Sequence, residues 1–368
     1  MKKIIIPTFV LSSLLVAQAQ FTAGNLVVLQ DGDGSAPLSS AGTALFLDQF
    51  TTAGSFVNDM AIPDTGSTAL VNSGTASSEG ALNLSANGQY LVFAGYNATV
   101  GTASIAGTTA TAAPRGVAIV DASGNYTLTA TSSSFFSGNN IRSAASDGAG
   151  NFWAAGATTG VAYMGTIGAA TAISASPLTN LRVVQAVGNN LFYSSGSGST
   201  RGIYEVAGNP TSGSTTAVNL INTSSLGSAS PYDFAFNPGM TIAYIADSDA
   251  FTTSSGIGGI EKWRLVGGVW TFQYSLSDSL KDGAVGLAVD FSGSDPIIYA
   301  TSPSGTNLFS VVDTGSSATG TVLANAGANE AFRGVDFAPL ATTPEPSTLA
   351  LGALGVAAIG LFRRNRKA

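Results

Sequence analysis

Histidine is absent from this chain, and so is cysteine. Without histidine there is no Ser-His-Asp or Cys-His nucleophile, no histidine-ligated zinc and no side chain that titrates unaided near neutral pH. Without cysteine no disulfide staples the fold, so stability must come from a core, which 368 residues are enough to build. Charge is scarce: Asp, Glu, Lys and Arg together make up 10% of the residues, yet no long charged run marks disorder. A sustained helical period is missing from the body of the chain. Glycine is plentiful at 45 residues, with Ser, Thr, Ala and Asn spaced between regular Val, Ile, Phe and Tyr positions. Small polar residues on the exposed faces of many short strands account for that mixture.

The few charges are unevenly placed. Setting aside the basic residues of the two ends (Lys2, Lys3, Arg363, Arg364, Arg366 and Lys367) leaves 8 of the 14 bases against all 21 acids, a formal −13. Such a surface repels nucleic acid and anionic lipid and sooner attracts cations.

One phrase returns along the body: a short apolar strand, a glycine turn, then a strand rich in aromatics. It reads GALNLSANGQYLVFAG from Gly80, NIRSAASDGAGNFWAAG from Asn140, LRVVQAVGNNLFYSSG from Leu181, YDFAFNPGMTIAYIA from Tyr232 and VGLAVDFSGSDPIIYA from Val285. The turn glycines Gly88, Gly148, Gly188, Gly239 and Gly293 are separated by 60, 40, 51 and 54 residues. Each phrase precedes a second candidate pair, such as Gly116–Asp121 with Tyr126–Ala130, or Gly259–Leu265 with Val269–Tyr274. Period-two alternation and a repeat of this length point to an all-β fold, a β-propeller with four strands per blade.

Five such units fill residues 80 to 324, leaving one strand at the end, Phe332–Pro339, and three at the start, Asn25–Gln30, Ala44–Phe50 and Ser55–Ile62. One strand plus three predicts a sixth blade that closes the ring and hides its edges. A β-sandwich or a solenoid is the alternative, since the spacing is uneven and no WD or kelch signature appears. Phe236 and Phe291 are expected in the core between blades.

Both ends read as address labels. Met1-Lys2-Lys3, an apolar stretch to Val16 and Ala17-Gln18-Ala19 form a secretory signal peptide, residues 1–19, cut after Ala19 by signal peptidase. The propeller is expected over 20–340 and a linker over 341–347, containing Pro344-Glu345-Pro346. An apolar transmembrane helix follows over 348–362, then a basic cytoplasmic tail over 363–368. That order of parts resembles the PEP-CTERM sorting signal of exported bacterial proteins. The resemblance implies that Pro344, Glu345 and Pro346 are read by an exosortase, and a Gram-negative envelope with exopolysaccharide nearby. A plain C-terminal anchor is the alternative, although the run is short of the roughly 20 residues of a full crossing.

Candidate chemistry is sparse. Arg142, Arg182, Asp233 and Arg333 fall near the starts of the expected inner strands and could ring one mouth of the channel as a ligand site. They could equally pair with backbone carbonyls and with carboxylates such as Glu79 and Asp336. Asp31-Gly32-Asp33-Gly34 has the look of a calcium loop, but position twelve is Gly42, so a turn is the simpler reading. Asp247-Ser248-Asp249 is likewise a cation candidate or a solvated turn. Trp153, Trp263, Trp270, Tyr244 and Phe93 read as packing between blades. No catalytic residue, metal or cofactor is expected. The body reads as a non-catalytic structural or adhesive surface protein; a propeller binding glycan or calcium, and a glycan-active enzyme using two carboxylates, are the alternatives.

Overall fold

The computed structural model describes residues 20–341, apart from 159, 166–170, 174–178, 214 and 228. The expected signal segment with Ala17 and Ala19, and the tail with Pro344-Glu345-Pro346 and the apolar run, lie outside the described residues. Among the described residues no helix is long and apolar enough to cross a membrane. Helical structure there is confined to three 3-10 turns, Ile105–Gly107, Gly198–Thr200 and Thr223–Leu226.

The architecture is all-β and repeats in antiparallel four-stranded groups. The first sheet holds Leu82–Leu84, Tyr90–Tyr96, Arg115–Asp121 and Tyr126–Ser132. The second holds Ile141–Ser146, Phe152–Gly156, Val161–Tyr163 and Thr171–Ala172. The third holds Leu181–Val187, Asn190–Ser195, Gly202–Val206 and Ala217–Asn222. A fourth, Pro231–Phe236, Ile242–Thr252, Ile257–Val266 and Val269–Asp278, meets a fifth, Gly286–Asp290, Ile297–Thr301, Asn307–Val312 and Thr319–Asn325. These two join edge to edge through a short parallel pairing of Ser277–Asp278 with Thr319–Gly320. In the sixth, Ala331–Phe337 pairs antiparallel with Leu26–Asp31, which pairs in turn with Leu45–Phe50 and Phe56–Ala61.

Strand alternation distributes the core. Along Leu26–Asp31, Leu26 and Val28 pack toward the fifth sheet with Tyr299 and Leu308, while Val27 and Leu29 pack toward the first with Leu82 and Phe93. Every sheet shares one buried cluster with the sheet before it and another with the sheet after it. The innermost strands touch their neighbours in the same cyclic order. At the tightest approach a side chain has no room: a Cβ on Gly334 would lie 2.1 Å from the backbone nitrogen of Leu82.

The irregular period has a local cause. The longest interval contains an insertion between Tyr96 and Arg115, pinned by the buried Arg115, whose guanidinium donates to the carbonyls of Ala113, Thr108 and Asn139. The shortest interval belongs to the second sheet, whose outer strands have 3 and 2 residues. In the fourth sheet the left-handed turn position is filled by Met240 rather than by Gly239. Two expectations change. Phe236 and Phe291 are half-buried and line a cleft instead of filling the core, and the Asp31 of the supposed turn is a fully buried strand residue. We therefore expect Phe234→Ala, at a fully buried ring, to cost about 3–5 kcal/mol in urea unfolding and Phe236→Ala to cost clearly less.

Candidate functional site

Two regions gather polar chemistry: the axis of the sheets and a cleft between the third and fourth. On the axis, β-bulges recur at one place. Pairing register slips between Ile141 and Ser143, between Leu181 and Val184, between Pro231 and Phe234, and opposite Phe332 and Val335. A bulge bends the strand and re-aims the extra side chain. The residues within these slips are Arg142, Arg182 with Val183, Tyr232 with Asp233, and Arg333 with Gly334.

Arg182, Tyr232 and Arg333 line one small axial cavity with Glu79. Arg333 Nε donates to Asp31 Oδ2 at 2.7 Å and its Nη2 to the Gly74 carbonyl at 2.8 Å. Arg142 Nη1 donates to Asn180 Oδ1 at 2.6 Å and to the Leu181 carbonyl. Arg182 hydrogen-bonds the Tyr232 hydroxyl and lies over that ring, 4.2 Å from its centroid. Burial and the neighbouring Arg182 charge lower the Arg142 pKa to about 10. Ser77, Ser78 and Glu79 cover the end of the axis, and the cavity left is about 10 Å³, room for roughly one water. Glu79 accepts from the Tyr96 hydroxyl, the Ser73 N–H and the Asn140 amide. Its carboxyl is nonetheless raised to about 7, because burial outweighs those bonds.

Asp233 is not at this mouth. Its Oδ1 accepts from Gln185 Nε2 at 2.8 Å and its Oδ2 from the Leu287 N–H at 3.0 Å, so it bridges three neighbouring inner strands. Asp336 does the same toward the first sheet, accepting from the Leu84 N–H at 2.6 Å. Burial holds Asp233 well above the usual carboxylate range and Asp336 at about 7. Of the cation candidates, Asp31 and Asp247 turn inward, while Asp33 stays exposed and hydrogen-bonds Ser35. Asp247 accepts from the Ser230 and Asp249 N–H groups and lies beside Glu261, both raised by burial. Among the described residues no group of three acids is placed to hold a metal.

The cleft between the third and fourth sheets holds about 1230 Å³. Its floor is a row of rings: Phe192 to Phe236 at 5.1 Å between centroids, then Phe236 to Trp270 at 5.8 Å. Trp263 closes the back, its indole N–H held by Glu261 Oε2 at 2.8 Å. The long hairpin Ile257–Val266 and Val269–Asp278 carries Trp270, with exposed Leu265 and Val269 beside it. Amides face the rings: Asn189, Asn190, Asn219, Asn222 and Asn237, with Glu205 among them. Asn190 Nδ2 donates to Glu205 Oε1, while among the described residues the buried Asn219 Oδ1 has no partner. The sequence reading assigned Trp263 and Trp270 to packing. That holds for Trp263, which is buried, but Trp270 is half-buried and faces the cleft. Trp153 is buried, its indole N–H donating to the Pro210 carbonyl, and Tyr244 and Phe93 are buried as expected. The amide row was missed; its only trace in the sequence is the recurrence of asparagine at turns 189–190 and 237.

The tail decides the address. Residues 342–367 are a PEP-CTERM protein-sorting motif. A PEP-CTERM motif indicates export, with a membrane-anchored sorting signal before processing, and implies an exosortase as the processing partner. No curated protein matches the chain in sequence. Among solved structures it is similar to a candidate 6-phosphogluconolactonase from Bacteroides uniformis, at 14% identity, 82% of each chain covered and a TM-score of 0.45. It is similar to the periplasmic gluconolactonase of Pseudomonas aeruginosa, at 12% identity over 82% of this chain and 83% of that one, TM-score 0.42. It is also similar to a chain of the nidogen/laminin complex, at 10% identity over 85% and 98%, TM-score 0.49. These neighbours are propeller-like, and the likeness is one of fold alone. The expectation that the body is not an enzyme is corrected: distant neighbours in fold carry the name of gluconolactonases.

The buried carboxyls carry a pH prediction. Glu79 and Asp336 have folded-state values near 7 against ordinary values of 4.5 and 3.8. A raised carboxyl binds its proton more tightly when folded, so stability falls as pH rises from about 4 to about 7. The acidic body adds repulsion in the same direction. The melting temperature should be higher at pH 5.5 than at pH 8.5; a flat or rising profile would contradict this account.

Proposed function

We propose that this is an exported, exosortase-processed six-bladed β-propeller that holds an extracellular polysaccharide in the cleft between its third and fourth blades. The blades are the four-stranded sheets and the two halves of the eight-stranded one. Pairing of Ala331–Phe337 with Leu26–Asp31 is read as the closure of the ring. The arginine mouth is read as a fastening of that ring, because Ser77–Glu79 cover it and Arg142, Arg182 and Arg333 donate to protein groups.

The observation that carries the reading is the row Phe192–Phe236–Trp270 facing a line of amides. Ring faces suit the apolar faces of sugar rings, and amides both donate and accept toward hydroxyls. A pocket of mostly apolar surface with a few convergent polar groups is the usual form of a small-molecule site. Glu205 and the acidic body favour neutral sugar segments over uronic acids.

Two measurements test this. Mass spectrometry of protein extracted from the envelope should find a chain beginning at Gln20 and ending near Pro346; intact Arg363–Ala368 on most molecules would leave an ordinary anchor. Titration of the full chain, in mild detergent, with neutral oligosaccharides should show binding that Trp270→Ala weakens at least about tenfold, as loss of a central aromatic anchor does, with unfolding unchanged. Undiminished binding by that variant, or no binding of any oligosaccharide, would sink the proposal.

A further inference from the structure

A second cavity, of about 490 Å³, opens on the sixth sheet and shares no lining residue with the cleft. Asp48, Asp59 and Glu330 line it together with Phe50, Phe56 and Phe332, and no lysine or arginine does. Asp48 and Asp59 stand directly opposite each other on the paired strands Leu45–Phe50 and Phe56–Ala61. Like charges at opposed positions of an antiparallel pair destabilise it. Asp48 is only 6% exposed, and among the described residues it has no hydrogen-bond or ion-pair partner. A buried carboxyl that faces a cavity without a partner leaves its acceptor capacity for whatever enters.

The rings narrow what that is. Phe50 meets Phe56 and Phe332 edge-on, with centroids 5.7 and 5.8 Å apart, so differently oriented rings surround one space. Phe56 is 57% exposed and lies on the outer strand at the rim of this space. Among the described residues no three acids are close enough to share a metal ion, and phenylalanine offers a bare divalent ion no oxygen. Carboxylates beside aromatic faces are instead the surroundings that bind an ammonium group on an organic body.

We propose that this cavity is a binding site for organic ammonium ions, with Asp48 as the counter-charge and Phe50, Phe56 and Phe332 as its walls. The volume falls within the range of small-molecule sites. Ionisation of Asp48 is opposed by burial first and then by Asp59 and Glu330, which raise it to about 7; Asp33, hydrogen-bonded to Ser35, is the remaining acid on the lining. A bound cation relieves that repulsion, so ligand and proton compete for one carboxyl.

Calorimetry on the full chain at pH 8 with butylammonium, choline and 3,3-dimethylbutan-1-ol, the neutral isostere of choline, tests it. One or both cations should bind and the alcohol should not; which cation binds better separates a lysine-like amine from a quaternary one. Affinity should fall up to about tenfold per pH unit below 7 as Asp48 takes its proton. Asp48→Asn should abolish cation binding while its melting temperature at pH 8 rises above that of the unsubstituted chain, since a buried charge is removed. Phe56→Ala should weaken binding with the fold intact. Equal binding of the alcohol, silence of both cations, or full binding by Asp48→Asn would each overturn the assignment.

Discussion

The architecture depends on one joint, where the strand Ala331–Phe337 lies against Leu26–Asp31 and the buried Arg333 meets the buried Asp31. These partners are 302 residues apart in sequence, so the contact ties the last strand of the body to its first. A buried ion pair gains little net stability, because both charges lose water; breaking one is nonetheless costly. Its value here is register. A bulge at Arg333 lets one guanidinium reach both Asp31 and the Gly74 carbonyl, and a strand shifted by one residue would bury that charge unpaired. The joint works as a lock more than as a source of binding energy.

Around the axis the same logic recurs with weaker bonds. Asn83 reaches the carbonyls of Ala144 and Val184, Ser143 accepts from the Val184 N–H, and Gln185 donates to Asp233 and to the Phe234 carbonyl. Asp233 accepts from Leu287, Thr301 donates to the Arg333 carbonyl, and Asp336 accepts from Leu84. Each neighbouring pair of innermost strands is therefore joined by at least one side chain. Among the described residues no ladder pairs one of these innermost strands with the next, so short polar side chains satisfy backbone groups there. The price is several carboxyls held in poor solvation, which explains why their proton affinities rise together.

Much of this was legible in the sequence. The repeated phrase placed both members of each inner hairpin, the all-β class followed from its period-two patterning, and the tail carried its own motif. Period-two patterning is a local property, and local properties survive in a single sequence. Legibility stopped where side-chain direction depends on a bulge. Arg142, Arg182 and Arg333 each take the first position of their bulge, which in the fourth sheet is held by Tyr232; Asp233, one residue further on, turns to Gln185 and Leu287 instead. Glu79 was noticed only as a neighbour, since nothing in a loop sequence says that it will seal the mouth. Phe236 and Phe291 have strand-like surroundings identical in kind to those of the buried Phe234; only the gap between two sheets separates cleft from core.

Both proposed sites lie where the repeat is imperfect, and this follows from the packing. A regular blade buries both faces against neighbours and leaves no concavity. The fourth sheet departs from regularity through strands of 11, 10 and 10 residues, against 6, 5 and 6 in the corresponding strands of the third. Its hairpin outruns the neighbour that should cover it, which leaves Trp270, Leu265 and Val269 facing open space. The sixth sheet departs in another way: its outer strand carries Phe56 and Asp59 beside Asp48 with no basic residue to answer them. Excess strand length makes an apolar cleft, and unanswered charge makes an acidic pocket.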